Sequence, residues 1–383
     1  MRDVRPHVAV VGAGVAGLVA ARHLADAGCA VTVFEKSRGL GGRCATRRSD
    51  FGPFNHGVAR FTAVSARFRA EIAGWQACGW VGPDVFLAAT GSAAPAAPAL
   101  HPAHGWTGLP TMNALARHLA HGLAVHTDHT VQALQRAADG RWRLLIAEHG
   151  ALETPFDSVL LAVPAEQALP LCATSPGLQQ ALQQVRSQPC WTLMLAWAET
   201  SLGPAPRLAQ RARGSAAARV TDQPTDEVLA DLPGEVMADL PDDVLDEVLD
   251  LSLLAGPMSS NADAATDLDP MPGTRWVLHA QPAWSTAHLD LAAADAIPLL
   301  MQALAKARGS ALPPPARIAA HRWRYARVAA PLLEACGWDA TLRLGCAGDA
   351  WAGTPSEHGV VPDGVERAWL SGLALAAAAL GAA

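Results

Sequence analysis

Three glycines and one acid near the start of the chain have the types and spacing of a phosphate-binding motif. Gly12, Gly14 and Gly17 follow the apolar segment His7–Val11 directly, and Glu35 ends a second apolar segment. In a strand–turn–helix–strand unit, Gly12 permits the tight turn, Gly14 lets the backbone approach a pyrophosphate and Gly17 lets the helix pack on the strand. The helix N-terminus offers N–H groups to phosphate. Because an acid such as Glu35 accepts hydrogen bonds from both ribose hydroxyls and disfavours a 2′-phosphate, ADP from FAD or NAD fits better than NADP.

Two further motifs favour FAD over NAD. The segment Arg38–Arg43 follows the acid directly; its glycine pair lets the chain pass close to a bulky dinucleotide, and Arg43 supplies a fixed cation. Near the C-terminus, Leu342–Asp349 predicts a short strand ending in Gly-Asp, and this Asp can bond ribityl hydroxyls. A helix that opens at Val365 presents an N-terminus that can stabilise negative charge at the pyrimidine end of a flavin. Three elements from opposite ends of the chain therefore converge on one long ligand, and they predict FAD.

Length and composition indicate a two-domain α/β enzyme. The 383 residues exceed the usual size of a single core, and 50% of them are apolar. The formal net charge of −6 is unevenly spread: fourteen acids and no Lys or Arg lie between Arg219 and Arg275, and without these acids the charge becomes +8. A basic body suits an anionic cofactor. Since no Lys/Arg run or aromatic–basic stripe is present, we expect no nucleic-acid partner.

The cysteine and hydropathy patterns indicate a reduced, cytoplasmic protein. Seven cysteines, with no CxxC pair, argue against a disulfide framework. The spacing of these cysteines and of the fourteen histidines offers no metal site. The glycine motif explains the N-terminal apolar stretch better than a signal peptide does. Because the apolar segment 368–383 is too short to span a bilayer, we expect no membrane partner.

The order of apolar runs, turns and helical stretches predicts a discontinuous cofactor domain. We expect a Rossmann-like FAD-binding domain over residues 1–62, 108–165 and 330–383. Residues 63–107 and 166–329 are expected to form a second, mixed-sheet α+β domain that binds the substrate. The predicted fold class is therefore α/β with an added α+β domain.

The acidic segment 222–273 departs from the rest of the predicted substrate domain. The heptapeptide Glu227–Pro233 recurs as Glu235–Pro241, eight residues later, and more loosely as Asp243–Leu249. The prolines forbid one continuous helix through these copies. The composition predicts a solvated, partly ordered insertion that is dispensable for cofactor binding, with a lid or a partner-docking element as the alternative.

Taken together, the motifs resemble those of the renalase-like flavoproteins, a branch of the flavin amine oxidase superfamily. The cofactor motifs are shared across that superfamily, whereas Phe54–Gly57 and His321–Ala326 point to this branch. The resemblance covers both ends of the chain and fails over roughly 200–273. It implies a p-hydroxybenzoate-hydroxylase-like fold with non-covalent FAD. It also implies oxidation of the 2- and 6-dihydronicotinamide isomers of NAD(P), with O2 as acceptor and hydrogen peroxide as product.

The resemblance also assigns cofactor roles to single residues. It implies that Val131 bonds the adenine edge through its backbone and that Val365 and Glu366 help to hold FAD. Together with the motifs above, the predicted cofactor-binding residues are Gly12, Gly14, Ala16, Gly17, Glu35, Lys36, Gly41, Gly42, Arg43, Val131, Gly348, Asp349, Val365 and Glu366.

Four residues are the candidates for contact with the substrate or the reacting edge of the flavin. Trp323 and Tyr325 could form a wall of the pocket, with His56 and Arg60 at the flavin edge. Packing is the alternative role for the two aromatic residues, a structural histidine for His56 and a surface cation for Arg60. The branch often has Gln-Tyr where this chain has Ala59-Arg60, so the identity of the substrate rests on the other motifs.

Three other functions compete with a renalase-type oxidase. An amine oxidase would need paired aromatic rings and a lysine near the flavin, whereas this chain has one tyrosine, Tyr325, and two lysines, Lys36 and Lys306. A desaturase that acts on a lipophilic substrate is a second rival within the fold. A non-catalytic flavin-binding redox sensor is the alternative of a different class, and it would not be reduced by any electron donor.

Overall fold

The alternating apolar and helical stretches fold into a set of short strands and helices. The computed structural model describes residues 5–84, 105–198, 202, 205, 244–250, 273–356 and 359–381. The strands are β1 (His7–Val11), β2 (Ala30–Phe34), β3 (Val81–Pro83), β4 (Trp106–Gly108), β5 (Ala124–His126), β6 (Val131–Arg136), β7 (Trp142–Ile146), β8 (Gly150–Ala151), β9 (Ser158–Leu161), β10 (Ser187–Trp197), β11 (Leu245–Asp250), β12 (Thr274–Ala280), β13 (Arg317–Val328), β14 (Gly337–Asp339) and β15 (Leu344–Cys346). The helices are α1 (Val15–Asp26), α2 (Ala66–Ala77), α3 (Ala114–Ala120), α4 (Ala165–Ala168), α5 (Pro176–Leu182), α6 (Pro282–Ala287), α7 (Ala293–Arg308) and α8 (Gly364–Gly381). Within the described ranges, no helix combines the length and apolar character needed to cross a membrane.

A six-stranded sheet in the order β14-β15-β9-β1-β2-β5 forms the centre of the first of two compact units. The pairs β2–β5, β1–β2, β1–β9 and β9–β15 are parallel, and β14 runs antiparallel at one edge. Parallel strands need helical crossovers, which cover both faces of the sheet and make its central strands almost wholly apolar. All four residues of β9 are buried accordingly. The predicted Rossmann-like α/β architecture is confirmed.

Helices α1 and α8 cover one face of this sheet and pack against each other. Helix α1 contributes Ala16, Leu18 and Leu24 to the shared core, and α8 contributes Leu375 and Ala376. Ala16 is therefore a packing residue at the N-terminal end of α1. Because α8 comes from the end of the chain, this contact brings the C-terminal motif to the glycine turn that begins α1.

The second unit is built on a four-stranded sheet in the order β11-β12-β10-β13, in which β12 pairs antiparallel with both β11 and β10. Alternate residues of β10, among them Leu193 and Leu195, share a hydrophobic core with Leu300 and Leu304 of α7. One face of strand β10 thus packs against one face of helix α7. The second domain with its own sheet and helices is present as predicted.

The boundary between the units differs from the predicted domain limits. Among the described residues, the first unit comprises 5–189 and 323–381 and the second comprises 190–250 and 273–322. Residues 63–84 and 166–189, which the sequence predicted in the substrate domain, therefore belong to the first unit. Helix α2 explains the first difference, because its buried residues Phe68, Ile72 and Trp75 lie in the core that α1 and α8 share.

Part of the acidic segment is a strand, so the prediction of a solvated insertion is wrong for residues 244–250, whereas its dispensability for cofactor binding stays a prediction. Strand β11 pairs with β12, and Val244 and Leu245 are 2% and 8% exposed within the core of the second unit. The high acid content of the whole segment obscured a short run that supplies apolar surface. The other residues of 222–272 lie outside the described residues.

We expect Leu245→Ala to lower the free energy of unfolding by about 2–4 kcal/mol, because the truncation leaves a cavity in a packed core. Urea-induced unfolding followed by tryptophan fluorescence measures the change. The matched control is Leu333→Ala, which removes the same atoms from a side chain that is 66% exposed and should change stability by less than about 0.5 kcal/mol. Equal effects of the two substitutions would contradict the placement of β11 in the core.

Candidate functional site

The glycine turn after β1 has the geometry that its spacing predicts. The N–H of Gly12 donates to the carbonyl of Phe34 (2.8 Å), and a Cβ on Gly12, where φ is +104°, would lie 2.5 Å from the carbonyl oxygen of Ala162. A Cβ on Gly17 would lie 2.0 Å from the carbonyl oxygen of Gly12, which explains the third glycine. A Cβ on Gly14 would meet nothing within 4 Å. Open space therefore adjoins the N-terminus of α1, where a phosphate would bind.

The second glycine motif lies against this turn. The N–H of Gly41 donates to the carbonyl of Ala13 (2.9 Å), and a Cβ on Gly42 would lie 3.6 Å from the Cα of Gly14. These contacting residues, 28 positions apart in sequence, form one continuous backbone surface. Lys36 is exposed beside this surface.

Glu35, the acid predicted to bind a ribose, holds the glycine turn. The residue is only 6% exposed. Its Oε2 accepts from the N–H of Ala13 (2.8 Å), and its Oε1 accepts from the N–H of Ser37 (2.9 Å). A carboxylate has about four acceptor sites, so two hydrogen bonds leave capacity for ligand hydroxyls. Sequence reasoning missed the role of this acid in ordering the turn, and its predicted contact to a ribose stays a prediction.

Arg43 and Asp349 form a bidentate ion pair. Nη1 and Nη2 of Arg43 lie 2.6 and 2.5 Å from the two carboxylate oxygens of Asp349, and the side chains are 26% and 8% exposed. Burial by itself lowers the pKa of Arg43, but the charge and hydrogen bonds of Asp349 outweigh burial and raise this pKa above its ordinary value. The sequence assigned Arg43 and Asp349 to the cofactor separately, whereas the structure pairs them and leaves part of Arg43 exposed to solvent.

The strand-end Gly-Asp motif is fixed from α8. The N–H of Gly348 donates to Oγ of Ser371 (3.2 Å), and Nε of the buried Arg367 donates to the carbonyl of Asp349 (2.8 Å). Arg367 also donates to the carbonyl of Pro362 through Nη1 (2.6 Å). A Cβ on Gly348 would meet nothing within 4 Å, so open space adjoins this motif as it does Gly14. An elongated ligand that passes both glycines fits this surface.

The N-terminus of α8 is already capped by a carboxylate. Oδ1 of Asp363 accepts from the N–H groups of Val365 (2.9 Å) and Glu366 (3.0 Å), and Oδ2 accepts from Oγ1 of Thr62 (3.0 Å). The two helical N–H groups that the sequence offered to the negative charge of a flavin are thus bound to Asp363. An acid just before a predicted helix is the signal for such a cap, and it was overlooked.

Glu366 has a structural role that the sequence did not predict. Its two oxygens accept from the N–H groups of Val64 (2.7 Å) and Ser65 (2.7 Å), and the residue is 0% exposed. Ser65 is the N-cap of α2, so Glu366 fixes the start of that helix. Its predicted contribution to cofactor binding stays a prediction.

Val131 opens β6, opposite Ile146 of β7, in the three-stranded antiparallel sheet β6-β7-β8 of the first unit. The strand register shifts between Val131 and Ala133. Such a bulge leaves a backbone group outside the ladder. The predicted backbone contact to an adenine stays a prediction at this position.

Two of the four substrate-site candidates contact each other. The indole Nε1 of Trp323 donates to the carbonyl of His56 (3.0 Å), and their ring centroids lie 5.1 Å apart. The N–H of Val58 donates to the carbonyl of Arg43 (2.8 Å), which connects this loop to the ion pair. The structure thus brings His56 and Trp323 together, next to the backbone of the predicted cofactor loop.

The other two candidates lack such support. Nη1 of Arg60 lies 3.8 Å from Oδ2 of the buried Asp84, so the structure gives this cation a carboxylate partner. Tyr325 is partly buried, two residues after Trp323 on β13. In the described part of the chain, no group of three or more His, Cys, Asp or Glu side chains is arranged to hold a metal ion.

Comparisons with known proteins agree with the fold. Residues 10–71 match the NAD(P)-binding Rossmann-like domain family. The hydroxyneurosporene desaturase of Cereibacter sphaeroides is 49% identical over 62 residues, which are 16% of this chain and 12% of that protein. The chain thus matches only a small part of the length of this relative.

Two solved structures share the fold over nearly the whole chain. One is assigned as a protoporphyrinogen oxidase from Exiguobacterium sp. 255-15, with a TM-score of 0.61, 14% identity and coverage of 97% of this chain and 99% of that one. The other is cyclohexylamine oxidase from Brevibacterium oxydans IH-35A, with a TM-score of 0.60, 11% identity and the same coverage, 97% and 99%. At this identity, the likeness establishes the fold alone.

We expect Glu366→Ala to lower the free energy of unfolding by about 2–4 kcal/mol, because it leaves two buried N–H groups without an acceptor. The matched control is Glu148→Ala, which removes an exposed carboxylate that also accepts two hydrogen bonds, both from Thr130, and should change stability much less. Thermal unfolding measures both changes. Unchanged stability combined with loss of cofactor would instead support the ligand role first predicted for Glu366.

Proposed function

We propose that this chain is an FAD-dependent oxidoreductase. The observation that carries the proposal is the convergence of three separate motifs on one surface: the Gly12–Gly14 turn, the Gly42–Arg43 loop and the Gly348–Asp349 strand end. Open space at Gly14 and Gly348 and a partly exposed Arg43 fit a long, anionic dinucleotide. A family match confined to residues 10–71 supports dinucleotide binding, and the motif near the C-terminus supports FAD in particular.

The residues divide the work of holding this cofactor. The glycine turn and the N-terminus of α1 would bind the pyrophosphate, and Glu35 would bind the ribose. Arg43, oriented by Asp349, would add a cation beside the dinucleotide. Bound FAD supplies the two-electron redox chemistry that the side chains themselves do not have.

For the substrate, we propose a dihydronicotinamide dinucleotide of the 2- or 6-isomer type, with O2 as electron acceptor. The two segments that resemble the renalase-like branch in particular, Phe54–Gly57 and His321–Ala326, supply the residues of the Trp323–His56 contact. A dihydropyridine needs little acid–base help, because its own nitrogen lone pair expels the hydride. His56 and Trp323 would orient the ring and exclude water, which is the main requirement for such a reaction.

An amine oxidase is the second candidate, and the fold shared with a cyclohexylamine oxidase favours it. Trp323 could provide one ring of an aromatic pair around an amine. Against it, the chain has a single tyrosine, Tyr325, and Lys36 is an exposed residue of the dinucleotide loop. A direct comparison of the two substrate classes separates these candidates.

We expect the purified protein to carry FAD non-covalently, because the motifs that bind it are backbone turns and ionic groups. Acid precipitation should release the yellow colour into the supernatant, as measured by absorbance and by chromatography against an FAD standard. Colour that stays in the pellet would indicate a covalent bond. A colourless protein that ignores added FAD would refute the proposed function.

Glu35→Ala should weaken FAD binding by about 1–3 kcal/mol, the usual cost of losing hydrogen bonds to a charged acceptor. Titration of the apoprotein with FAD, followed by flavin fluorescence, measures the affinity. Glu153→Ala, a substitution of an exposed acid, is the control and should leave the affinity unchanged. Equal affinities for Glu35→Ala and the parent would mean that this acid does not meet the ribose.

A 2- or 6-dihydronicotinamide isomer should bleach the flavin absorbance within seconds in anaerobic mixing, and O2 should restore it with release of peroxide. Ordinary 4-dihydro NADH should act far more slowly, because its reactive carbon lies elsewhere on the ring. Trp323→Ala should slow the reductive step more than reoxidation, since it loosens the orientation of the substrate. Rapid bleaching by an amine, with indifference to every dihydronicotinamide, would support the amine oxidase instead.

A further inference from the structure

Three histidine rings form a cluster at the carboxyl edge of the central sheet in the first unit. The ring centroids of His126 and His129 lie 5.2 Å apart, and those of His129 and His149 lie 4.2 Å apart. His126 also stacks on the buried Phe34, with centroids 5.6 Å apart and an interplanar angle of 17°. His126 and His149 are exposed and His129 is partly exposed. Neighbouring rings are tilted by 44° and 38°, so the cluster is an accessible set of inclined ring faces with an apolar residue beneath it.

The carboxylate of Glu148 joins the two segments that carry His129 and His149. Oε2 and Oε1 of Glu148 accept from the N–H (2.8 Å) and the hydroxyl (2.7 Å) of Thr130. These hydrogen bonds lower the pKa of Glu148 below its usual range. Since Thr130 follows His129 and Glu148 precedes His149, this carboxylate fixes the β7–β8 turn beside the segment that precedes β6. The ring surface is thus preorganised.

The hydrogen bond of His129 determines which of its ring nitrogens can accept. Nδ1 lies 2.7 Å from the carbonyl oxygen of Thr127, and a carbonyl can only accept, so Nδ1 carries the proton. In the neutral ring, Nε2 then bears a lone pair. Among the described residues, none hydrogen bonds to this nitrogen. His129 therefore offers one acceptor that is directed by the fold and available to a ligand.

The cluster adjoins the acid that would bind the ribose. The N–H of Glu35 donates to the carbonyl of His126 (2.8 Å), and the N–H of His129 donates to the carbonyl of Glu35 (2.9 Å). In an adenine nucleotide, the base is bonded directly to the ribose. A base attached to a sugar at Glu35 therefore lies within reach of these rings.

We propose that His126, His129 and His149 form the adenine subsite of the dinucleotide cofactor, in which Nε2 of His129 accepts a hydrogen bond from the exocyclic amine of the base. The inference deepens the proposed function and depends on it. Aromatic surfaces bind any base by stacking, so the ring faces supply affinity. The acceptor on His129 supplies the preference for a 6-amino purine, because a 6-oxo purine would oppose it with a second acceptor.

Displacement of FAD from the reconstituted protein by ADP and by IDP tests this subsite, since the two nucleotides differ in the 6-substituent and the adjoining ring nitrogen. At about pH 8, where free imidazole is mostly neutral, ADP should displace FAD about 5- to 10-fold more effectively than IDP, the effect expected for one hydrogen bond. His129→Phe keeps a flat ring without the acceptor, so the ratio of ADP to IDP effectiveness should fall to about 1. His149→Ala should weaken ADP and IDP alike, because it removes ring surface only.

The matched control is His118→Phe, which alters a ring stacked on Trp80 (4.6 Å between centroids) elsewhere in the first unit and should leave both displacements unchanged. Equal displacement by ADP and IDP in the parent, no displacement by either, or an ADP preference that survives in His129→Phe would each overturn the inference. A parent protein that binds FAD while showing any of these results keeps the proposed function. A parent that binds no FAD refutes the proposed function itself.

Discussion

The Arg43–Asp349 ion pair joins two segments that are 306 residues apart, and the candidate site depends on that junction. The side chain of Arg43 binds the strand end that carries Gly348. Its backbone carbonyl accepts from Val58, in the loop that carries His56. One residue thus connects the dinucleotide loop, the C-terminal motif and the His56–Trp323 contact. Removing either partner would leave a charge in a mostly buried place, a much larger cost than losing an exposed pair.

Buried carboxylates complete this arrangement by accepting hydrogen bonds from the backbone. Glu35 orders the glycine turn, Asp363 caps α8 and Glu366 fixes the start of α2. Each acid satisfies N–H groups that would otherwise be buried without an acceptor. The cofactor surface is therefore held mainly by main-chain hydrogen bonds to a few acids, which allows backbone groups and glycines to face the ligand.

Local geometry explains which features could be predicted from the sequence. The geometry of the glycine turn was predictable because it follows from backbone conformation within one strand–turn–helix unit. The partners of Glu366 and Arg60 were not predictable. The sequence around a charged residue does not show whether its side chain binds a neighbouring group or one that is distant along the chain. Strand β11 was missed for a related reason, since a short apolar run has meaning only beside the strand with which it pairs. The sequence therefore predicts local motifs better than it predicts which distant residues or strands will pair.

The order of the sheet has a consequence for how the protein is made. Strand β15 lies in the central sheet beside β9, and Asp349 follows β15. The partner of Asp349, Arg43, is synthesised 306 residues earlier. A nascent polypeptide that has emerged only as far as the second unit has Arg43 without its ionic partner Asp349. Capture of the cofactor in its final geometry therefore follows the synthesis of β15 and Asp349. Until then, the partly emerged sheet has the exposed edge of β9 where β15 will pair.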